Sequence, residues 1–219
     1  MIRTSGDPIA KGDMKPCVVV SEEMGSQGDL VALETSQLTG RRLILRDGIR
    51  KLARARGLPG EEWRWLEQGW SRLFAPLGAA PDVRLAMLRP VLLAACRDSR
   101  GALFLGRGIG ELLEGHAPLI RIRVVAPFEL RCQRIMRQVN IMRSRAEERV
   151  RRSDAENAWF YHYFFGFDWT DPDRYDLILD TSILTPHECA RQLAETITQR
   201  GGADAPPLHD PLAEHKALR

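Results

Sequence analysis

A short glycine-containing loop is the first stretch of this sequence whose residue types and spacing fit a chemical task. It follows Cys17-Val-Val-Val20, a β-branched apolar run typical of a buried parallel strand, and it precedes a helical pattern that begins near Leu30. In such a turn, backbone N–H groups converge on an anion and the positive end of the helix adds to the attraction. A tight strand-to-helix turn without a ligand would explain the same residues. The candidates to hold phosphate are Gly25, Ser26, Gln27, Gly28 and the neighbouring Asp29.

The charges beside this loop oppose the binding of phosphate. Phosphate loops commonly end in Gly-Lys-Ser/Thr, whereas here Gly28 is followed directly by Asp29, and a lysine is missing. Glu22, Glu23 and Asp29 add negative charge close to the place where a donor phosphate would lie. We therefore expect this loop to bind a phosphate group only weakly.

Arg107 is a second candidate for contact with phosphate. It lies between Gly106 and Gly108, directly after the apolar run Ala102–Leu105, which predicts a core strand. The planar guanidinium of an arginine at a strand end is suited to phosphate oxygens. We expect its side chain to face a central cleft; a surface arginine in a turn is the alternative.

A third cluster is rich in arginine and covers residues 145–154, where Arg149, Arg151, Arg152 and Asp154 stand close together. Several arginines near one helix end would neutralise charge during phosphoryl transfer. With few large apolar anchors, residues 143–154 are predicted to form a mobile lid. The alternatives are a solvated helix face and, with less support, an RNA-binding face, which lacks a stacking platform on a strand.

Asp47 follows a short apolar run at residues 43–45, which predicts the second strand. Its carboxylate would hold a sugar hydroxyl or a base amine of a ligand, or it would simply act as the N-cap of the next helix. The residues alone leave these two interpretations open.

These candidates lie in a chain in which predicted strands alternate with helices, which indicates βαβ units and a mainly parallel sheet covered on both faces. In such a sheet ligands bind beyond the carboxyl ends of the strands. Further strands are predicted at Leu119–Val125 and at residues 175–179. Helices are predicted at residues 61–73 and 82–96, through most of 128–165, and from Pro186 to Gly201. Residues 15–200 form the predicted domain, with disordered ends at 1–14 and 201–219.

The bulk composition favours a single ordinary globular domain. The chain has 219 residues, 44% hydrophobic and 28% charged, with a formal net charge of +3. That charge is too small to indicate a nucleic-acid or membrane partner, and no apolar stretch is long enough to span a bilayer. The polar N-terminus lacks the apolar segment of a signal peptide. The four cysteines form no CxxC pair, so we expect free, buried thiols in a cytoplasmic protein.

Taken together, these motifs resemble the cytidylate kinase-like family of P-loop nucleoside monophosphate kinases over about residues 17–200. The loop from Ser21 to Gly28 is similar to the family's Ser-Arg-Glu-aromatic-Gly-Ser-Gly-Gly, and Leu105-Gly-Arg-Gly108 is similar to its Val-Gly-Arg-Gly. The closest match in spacing is near the C-terminus, at Asp154, Tyr161, Tyr163, Gly166, Asp168, Trp169, Tyr175, Asp176, Leu177, Asp180, Thr181 and Ser182.

This resemblance implies a three-layer α/β/α fold with a helical insertion for the acceptor and the lid. It also implies transfer of the γ-phosphoryl group of ATP, with Mg²⁺, to a nucleoside monophosphate such as CMP. The loop residues 25–29 would hold the donor, and Asp47 and Arg107 would face the acceptor. Because of the acids beside the loop we expect weak ATP affinity, although Asp29 is also a candidate to help hold Mg²⁺. Arg107, Arg151, Arg152 and Asp154 would act in catalysis.

The sequence also departs from the family at several of these positions. Glu22 and Asp29 replace arginines, Gln27 replaces a glycine and Asn157 replaces a lid arginine. The alternative function is therefore a catalytically impaired regulatory protein that binds a nucleotide or another anion on a kinase scaffold.

Overall fold

The computed structural model of the chain describes residues 15–57 and 81–201, with side chains for residues 15–57 and 88–200. The predicted terminal arms, apart from residue 201, and the predicted helix at residues 61–73 lie outside these ranges. In the part of the chain that the structure describes, no helix combines the length and apolarity needed to cross a membrane.

Five parallel strands form one sheet in the order β2-β3-β1-β4-β5. The strands are β1 (Cys17–Glu22), β2 (Arg42–Ile44), β3 (Ala102–Leu105), β4 (Leu119–Val125) and β5 (Leu177–Asp180). The first strand lies in the centre and pairs with β3 and β4, with Val18 opposite Leu103 and Ile120. The loop that follows β1 is therefore placed at the middle of the sheet's carboxyl edge.

Seven helices cover this sheet within the described residues. They are α1 (Gly28–Thr39), α2 (Arg46–Arg54), α3 (Pro81–Cys96), α4 (Ile109–Leu113), α5 (Phe128–Val139), α6 (Arg143–Phe165) and α7 (Pro186–Gly201). A short 3₁₀ helix, Pro172–Arg174, precedes β5. The left-handed Asn140 separates α5 from α6 within the long helical stretch that the sequence predicts.

Alternate residues of β1 face opposite layers of the fold, as expected for a strand buried on both sides. Val18 and Val20 pack in a cluster with Val31 of α1 and Leu193 of α7. On the other face, Val19 packs in a cluster that contains residues of α2, α3, α4 and the C-terminal half of α6. The three-layer α/β/α arrangement is thus the one the sequence predicts.

The bounds of β1, β2 and β5 differ from the predicted ones by one or two residues. The second strand ends at Ile44, because Leu45 already serves as the N-cap of α2. The fifth strand begins only at Leu177, since the 3₁₀ helix extends to Arg174 and the next residue, Tyr175, donates a 2.7 Å hydrogen bond from its hydroxyl to the carbonyl of Trp169. The start of a helix outweighs the local β propensity at Leu45, and the hydrogen bond of Tyr175 does so before β5.

The cysteines also differ from the prediction. Cys17, at the start of β1, and Cys96, at the end of α3, form a disulfide with Cα atoms 5.8 Å apart. The prediction of four free thiols is therefore wrong for this pair, because packing brings together two positions that are 79 residues apart in the sequence. Cys132 and Cys189 are free and buried.

Candidate functional site

A cleft of about 820 Å³ opens at the carboxyl edge of the sheet, where the loop after β1 meets the loop after β3. The loop residues Gly25, Gln27 and Asp29 line it together with Arg107. Residues of α5 and α6 form the facing wall. This position, beyond the carboxyl ends of parallel strands, is where ligands bind in this class of fold.

The loop has the backbone conformation of an anion cradle. Gly25 has a φ of +82°, and a Cβ atom there would lie 2.7 Å from the carbonyl oxygen of Arg131, so only glycine fits. Gln27, the N-cap of α1, is also left-handed, with a φ of 64° and without a side-chain cap for the helix. Ser26 is fully buried, and its hydroxyl has no hydrogen-bond partner among the described residues.

Hydrogen bonds to its carbonyl groups hold the loop in place. Arg134 donates to the carbonyl of Gly25 at 3.2 Å, and Thr181 donates to the carbonyl of Ser26 at 2.8 Å. Arg134 also donates to the hydroxyl oxygen of Thr181 at 2.8 Å. The N–H of Ser26 is itself bonded to the carbonyl of Glu23 at 2.9 Å, so the loop is fixed through both its carbonyl and its N–H groups.

Glu22 fills part of this cradle. Its carboxylate accepts a 3.0 Å hydrogen bond from the backbone N–H of Asp29, in the first turn of α1. A Cβ atom at Gly28 would lie 2.7 Å from the same carboxylate oxygen. Burial, followed by the charge of Asp29, raises the pKa of Glu22 to about 7. A side-chain carboxylate thus accepts the hydrogen bond that this N–H would otherwise donate to a donor phosphate.

Glu23 does not add free negative charge to the loop, contrary to the prediction. Its carboxylate pairs with Arg123 at 2.8 Å and with Arg131 at 3.3 Å. Both arginines are about 6% exposed. The acid is therefore part of a buried ionic network beneath the cleft, where its charge is compensated.

The predicted position of Arg107 agrees with the structure, since Arg107 follows β3 and lines the same cleft as Gly25 and Gln27. Its guanidinium lies 5.9 Å from the centre of the Phe160 ring. Burial lowers the pKa of Arg107 to about 10, and the charge of Arg46 acts in the same direction. An anion bound beside these two groups would offset the cost of this poorly solvated charge.

The turn that carries Arg107 is anchored by Tyr161. The N–H of Gly108 donates a 3.0 Å hydrogen bond to the hydroxyl oxygen of Tyr161, which lies 3.4 Å from the hydroxyl of Ser21. Gly108 has a φ of +73°, and a Cβ atom there would lie 2.9 Å from the Phe160 ring. The aromatic part of α6 thus sets the position of the loop after β3.

Three predicted lid residues are directed away from the cleft. Arg151 lies 4.4 Å from the centre of the Phe128 ring, and Arg152 is paired with Glu156 at 3.6 Å. Asp154 accepts two hydrogen bonds of 2.9 Å from the two terminal nitrogens of Arg131. None of the three is among the described residues that line the cleft, because they fall on other faces of α6.

The predicted lid also has more apolar anchorage than its composition suggests. Ala146 and Val150 are fully buried and pack with Cys132 and Ile135 of α5. Residues 143–154 thus bury no large apolar side chain in this cluster, as the sequence predicts, but small side chains are sufficient to bury this face of the helix. That the segment moves when a ligand binds stays a prediction.

The face of α6 that does line the cleft is formed by residues four positions apart, which share one side of a helix. Asn157 on this face is 4% exposed, and its side-chain oxygen has no hydrogen-bond partner among the described residues. The four-residue spacing is visible in the sequence. It identifies these residues as part of the cleft only when the face of α6 that is turned toward the sheet is known. The residues are Arg149, Ser153, Asn157 and Tyr161.

Asp47 is not placed where the sequence predicts. It is the second residue of α2, so it is not the N-cap, and its side chain is 71% exposed and paired with Arg50. It is absent from the described lining of both cavities at this edge of the sheet. The residue that turns inward here is its neighbour Arg46.

The arginines between residues 121 and 152 lie in several different environments. Arg123 and Arg131 are buried in ion pairs, and Arg134 holds the loop after β1. Arg143 and Arg145 pair with glutamates on the surface. Neutralised and buried arginines supply little of the electrostatic attraction on which nucleic-acid binding depends.

Comparison with known proteins agrees with this geometry. The model of the cytidylate kinase-like family matches residues 17–183. The chain belongs to this family. A cytidylate kinase of Methanopyrus kandleri is 27% identical over 140 residues, which cover 61% of this chain and 67% of that protein.

Solved structures show the same fold at low sequence identity. An uncharacterized protein from Eubacterium ventriosum has a TM-score of 0.64 at 12% identity, covering 83% of this chain and 98% of its own. A sugar kinase from Janibacter sp. has a TM-score of 0.54 at 15% identity, covering 86% and 99%. This cytidylate kinase-like chain therefore has the fold of P-loop kinases, in which acceptors differ between proteins.

Proposed function

We propose that the protein is a phosphotransferase that moves the γ-phosphoryl group of ATP to a small acceptor bearing a phosphate. CMP is the first acceptor to test, because of the family resemblance. The observation that supports this most directly is the meeting of the loop after β1 with Arg107 and Arg149 at one cleft of about 820 Å³. Such a cleft is large enough for a nucleotide. We also propose a cytoplasmic location.

In this reaction the chain would act by positioning and by neutralising charge. A phosphate oxygen of the acceptor forms the new bond to the γ phosphorus as the bond from that phosphorus to ADP breaks. An ionised phosphate needs no base to remove a proton from it. Arg107 and Arg149 would stabilise the negative charge that spreads over the transferred group.

Mg²⁺ fits the oxygen chemistry of the loop. Among the described residues, no group of three or more His, Cys, Asp or Glu side chains could hold a metal by itself. Asp29 lines the cleft beside Glu22, however, and Mg²⁺ in kinases is commonly held by one or two carboxylates together with donor phosphates. We therefore assign Asp29 as the residue that would hold it. The bound ion would neutralise part of the phosphate charge.

A second function is favoured by the Glu22 contact. A protein whose own carboxylate accepts the N–H of Asp29 at the start of α1 binds a donor phosphate less well. A catalytically impaired protein that binds a nucleotide or another anion for regulation would show this feature.

Separate calorimetric titrations with ATP–Mg²⁺ and with CMP, followed by a coupled phosphoryl-transfer assay, distinguish the two functions. Binding of both ligands with transfer supports the kinase, and binding without transfer supports the regulatory protein. Arg107→Met should abolish transfer, whereas Arg42→Met, an exposed arginine of β2 outside the cleft lining, should not. Absence of any nucleotide binding would contradict the kinase and would restrict the regulatory protein to another anion.

A further inference from the structure

A second cavity, of about 280 Å³, lies beside the phosphate cleft at the carboxyl ends of β2 and β3. Helices α2, α3 and α4 form its walls. Its aliphatic lining consists of Leu45, Ile49, Leu88, Leu92, Leu105, Ile109 and Leu112.

These walls offer little that would recognise a nucleobase. Among the described residues that line the cavity there is no serine, threonine, asparagine, glutamine, histidine or aromatic side chain. The edge of a base carries donors and acceptors whose burial without hydrogen-bond partners is unfavourable. An aliphatic body has no such groups, and its burial against leucine and isoleucine is favourable.

The polar corner of the cavity is cationic. Arg46 and Arg107 line both this cavity and the phosphate cleft, so the two spaces meet at these guanidinium groups. Glu22 also lines both, but its carboxylate is hydrogen-bonded to the N–H of Asp29 at the start of α1. Two arginines at one end of an aliphatic cavity match a ligand with one doubly charged head.

We propose that this cavity binds an aliphatic monophosphate, with its phosphate between Arg46 and Arg107 and its hydrocarbon chain against the leucine and isoleucine walls. As an acceptor, such a molecule would present its phosphate oxygens toward the cleft that contains the loop after β1. This role as acceptor rests on the proposed phosphotransferase function, whereas the binding itself does not.

The test is calorimetric titration of the full chain, without ATP, using n-hexyl phosphate, inorganic phosphate and CMP as probes. We expect n-hexyl phosphate to bind at least about tenfold more tightly than either of the other two. Equal affinity for n-hexyl phosphate and inorganic phosphate would overturn the proposal, because the walls would then contribute nothing. Tighter binding of CMP would overturn it in favour of a nucleotide.

One variant with a matched control locates the binding site. Leu45 is 46% exposed and is the N-cap of α2, a position that asparagine favours, so Leu45→Asn should fold while losing affinity for n-hexyl phosphate about threefold or more. Leu33→Asn, at a leucine 45% exposed on α1 and outside both cavities, should leave that affinity unchanged. Equal effects of these two variants would contradict the assignment.

Arg107→Met tests the head group, with folding checked by thermal melting. It should lower the affinity for n-hexyl phosphate at least about tenfold, and unchanged affinity in a folded variant would overturn the proposal. If the wild type binds n-hexyl phosphate as expected but transfers no phosphoryl group, only the phosphotransferase function is contradicted. The two proposals are therefore separately refutable.

Discussion

The carboxylate of Glu22 and the backbone N–H of Asp29 lie 3.0 Å apart in a hydrogen bond that closes the anion cradle at the start of α1. A helix N-terminus attracts anions, and here the anion belongs to the protein. A donor phosphate has to displace this carboxylate or bind next to it. Glu22 is therefore the loop residue that bears most directly on the binding of a donor phosphate.

Removing the charge of Glu22 should strengthen ATP binding. In Glu22→Gln the side chain keeps its size and loses its repulsion of phosphate, so we expect ATP–Mg²⁺ to bind about tenfold more tightly, or by about 1.4 kcal/mol, in calorimetric titration. Glu148→Gln, at an exposed glutamate paired with Arg145, is the control and should change nothing. An unchanged affinity in Glu22→Gln would show that this loop is not the donor site.

The same carboxyl group should make the stability of the folded chain depend on pH. Burial and the charge of Asp29 raise the pKa of Glu22 from 4.5 to about 7, so the folded chain binds more protons there than the unfolded chain. Stability should therefore fall as the pH rises from about 4.5 to 7 and then level off. Melting temperatures measured in EDTA across this range should decline more in the wild type than in Glu22→Gln. Parallel curves would contradict the prediction.

Two arginines of α6 provide a test of which face of this helix meets the ligand. Arg149 lines the cleft, whereas Arg151 packs over the Phe128 ring. Arg149→Met should therefore weaken ATP binding about tenfold, while Arg151→Met should change it less than twofold. The reverse order would indicate that α6 rotates or that residues 143–154 rearrange on binding, as predicted for a lid.

The ion pair between Arg131 and Asp154 should contribute to folding more than a surface pair does. Asp154→Asn removes the charge that faces a buried guanidinium, although Glu23 still partly compensates it. We expect a loss of about 2 kcal/mol in unfolding free energy, measured by denaturant titration. Glu148→Gln should cost less than about 0.5 kcal/mol, because that pair is exposed on both sides. Equal losses would assign Asp154 a role other than stabilising this network.

Local sequence determined much of the fold. The β-branched run at residues 17–20 is long enough for a buried strand, and Ala102–Leu105 and Leu119–Val125 are strands with the predicted bounds. The loop at residues 25–28 could be located because strand-to-helix turns need glycine or left-handed residues there. These features depend on interactions between near neighbours in the chain. The composition and the periodicity of a short segment are therefore sufficient to predict them.

Tertiary structure alone decided which charged residues face the cleft. Residues 149, 151, 152 and 154 are close in the chain, but the 100° turn between successive helix positions sends each to a different environment. Only packing of α6 on α5 selects Arg149 for the cleft and directs Asp154 to Arg131. The same holds for two other contacts, the disulfide between Cys17 and Cys96 and the hydrogen bond of Glu22 at the start of α1. Both depend on spatial distances that cannot be read from the order of residues in the chain.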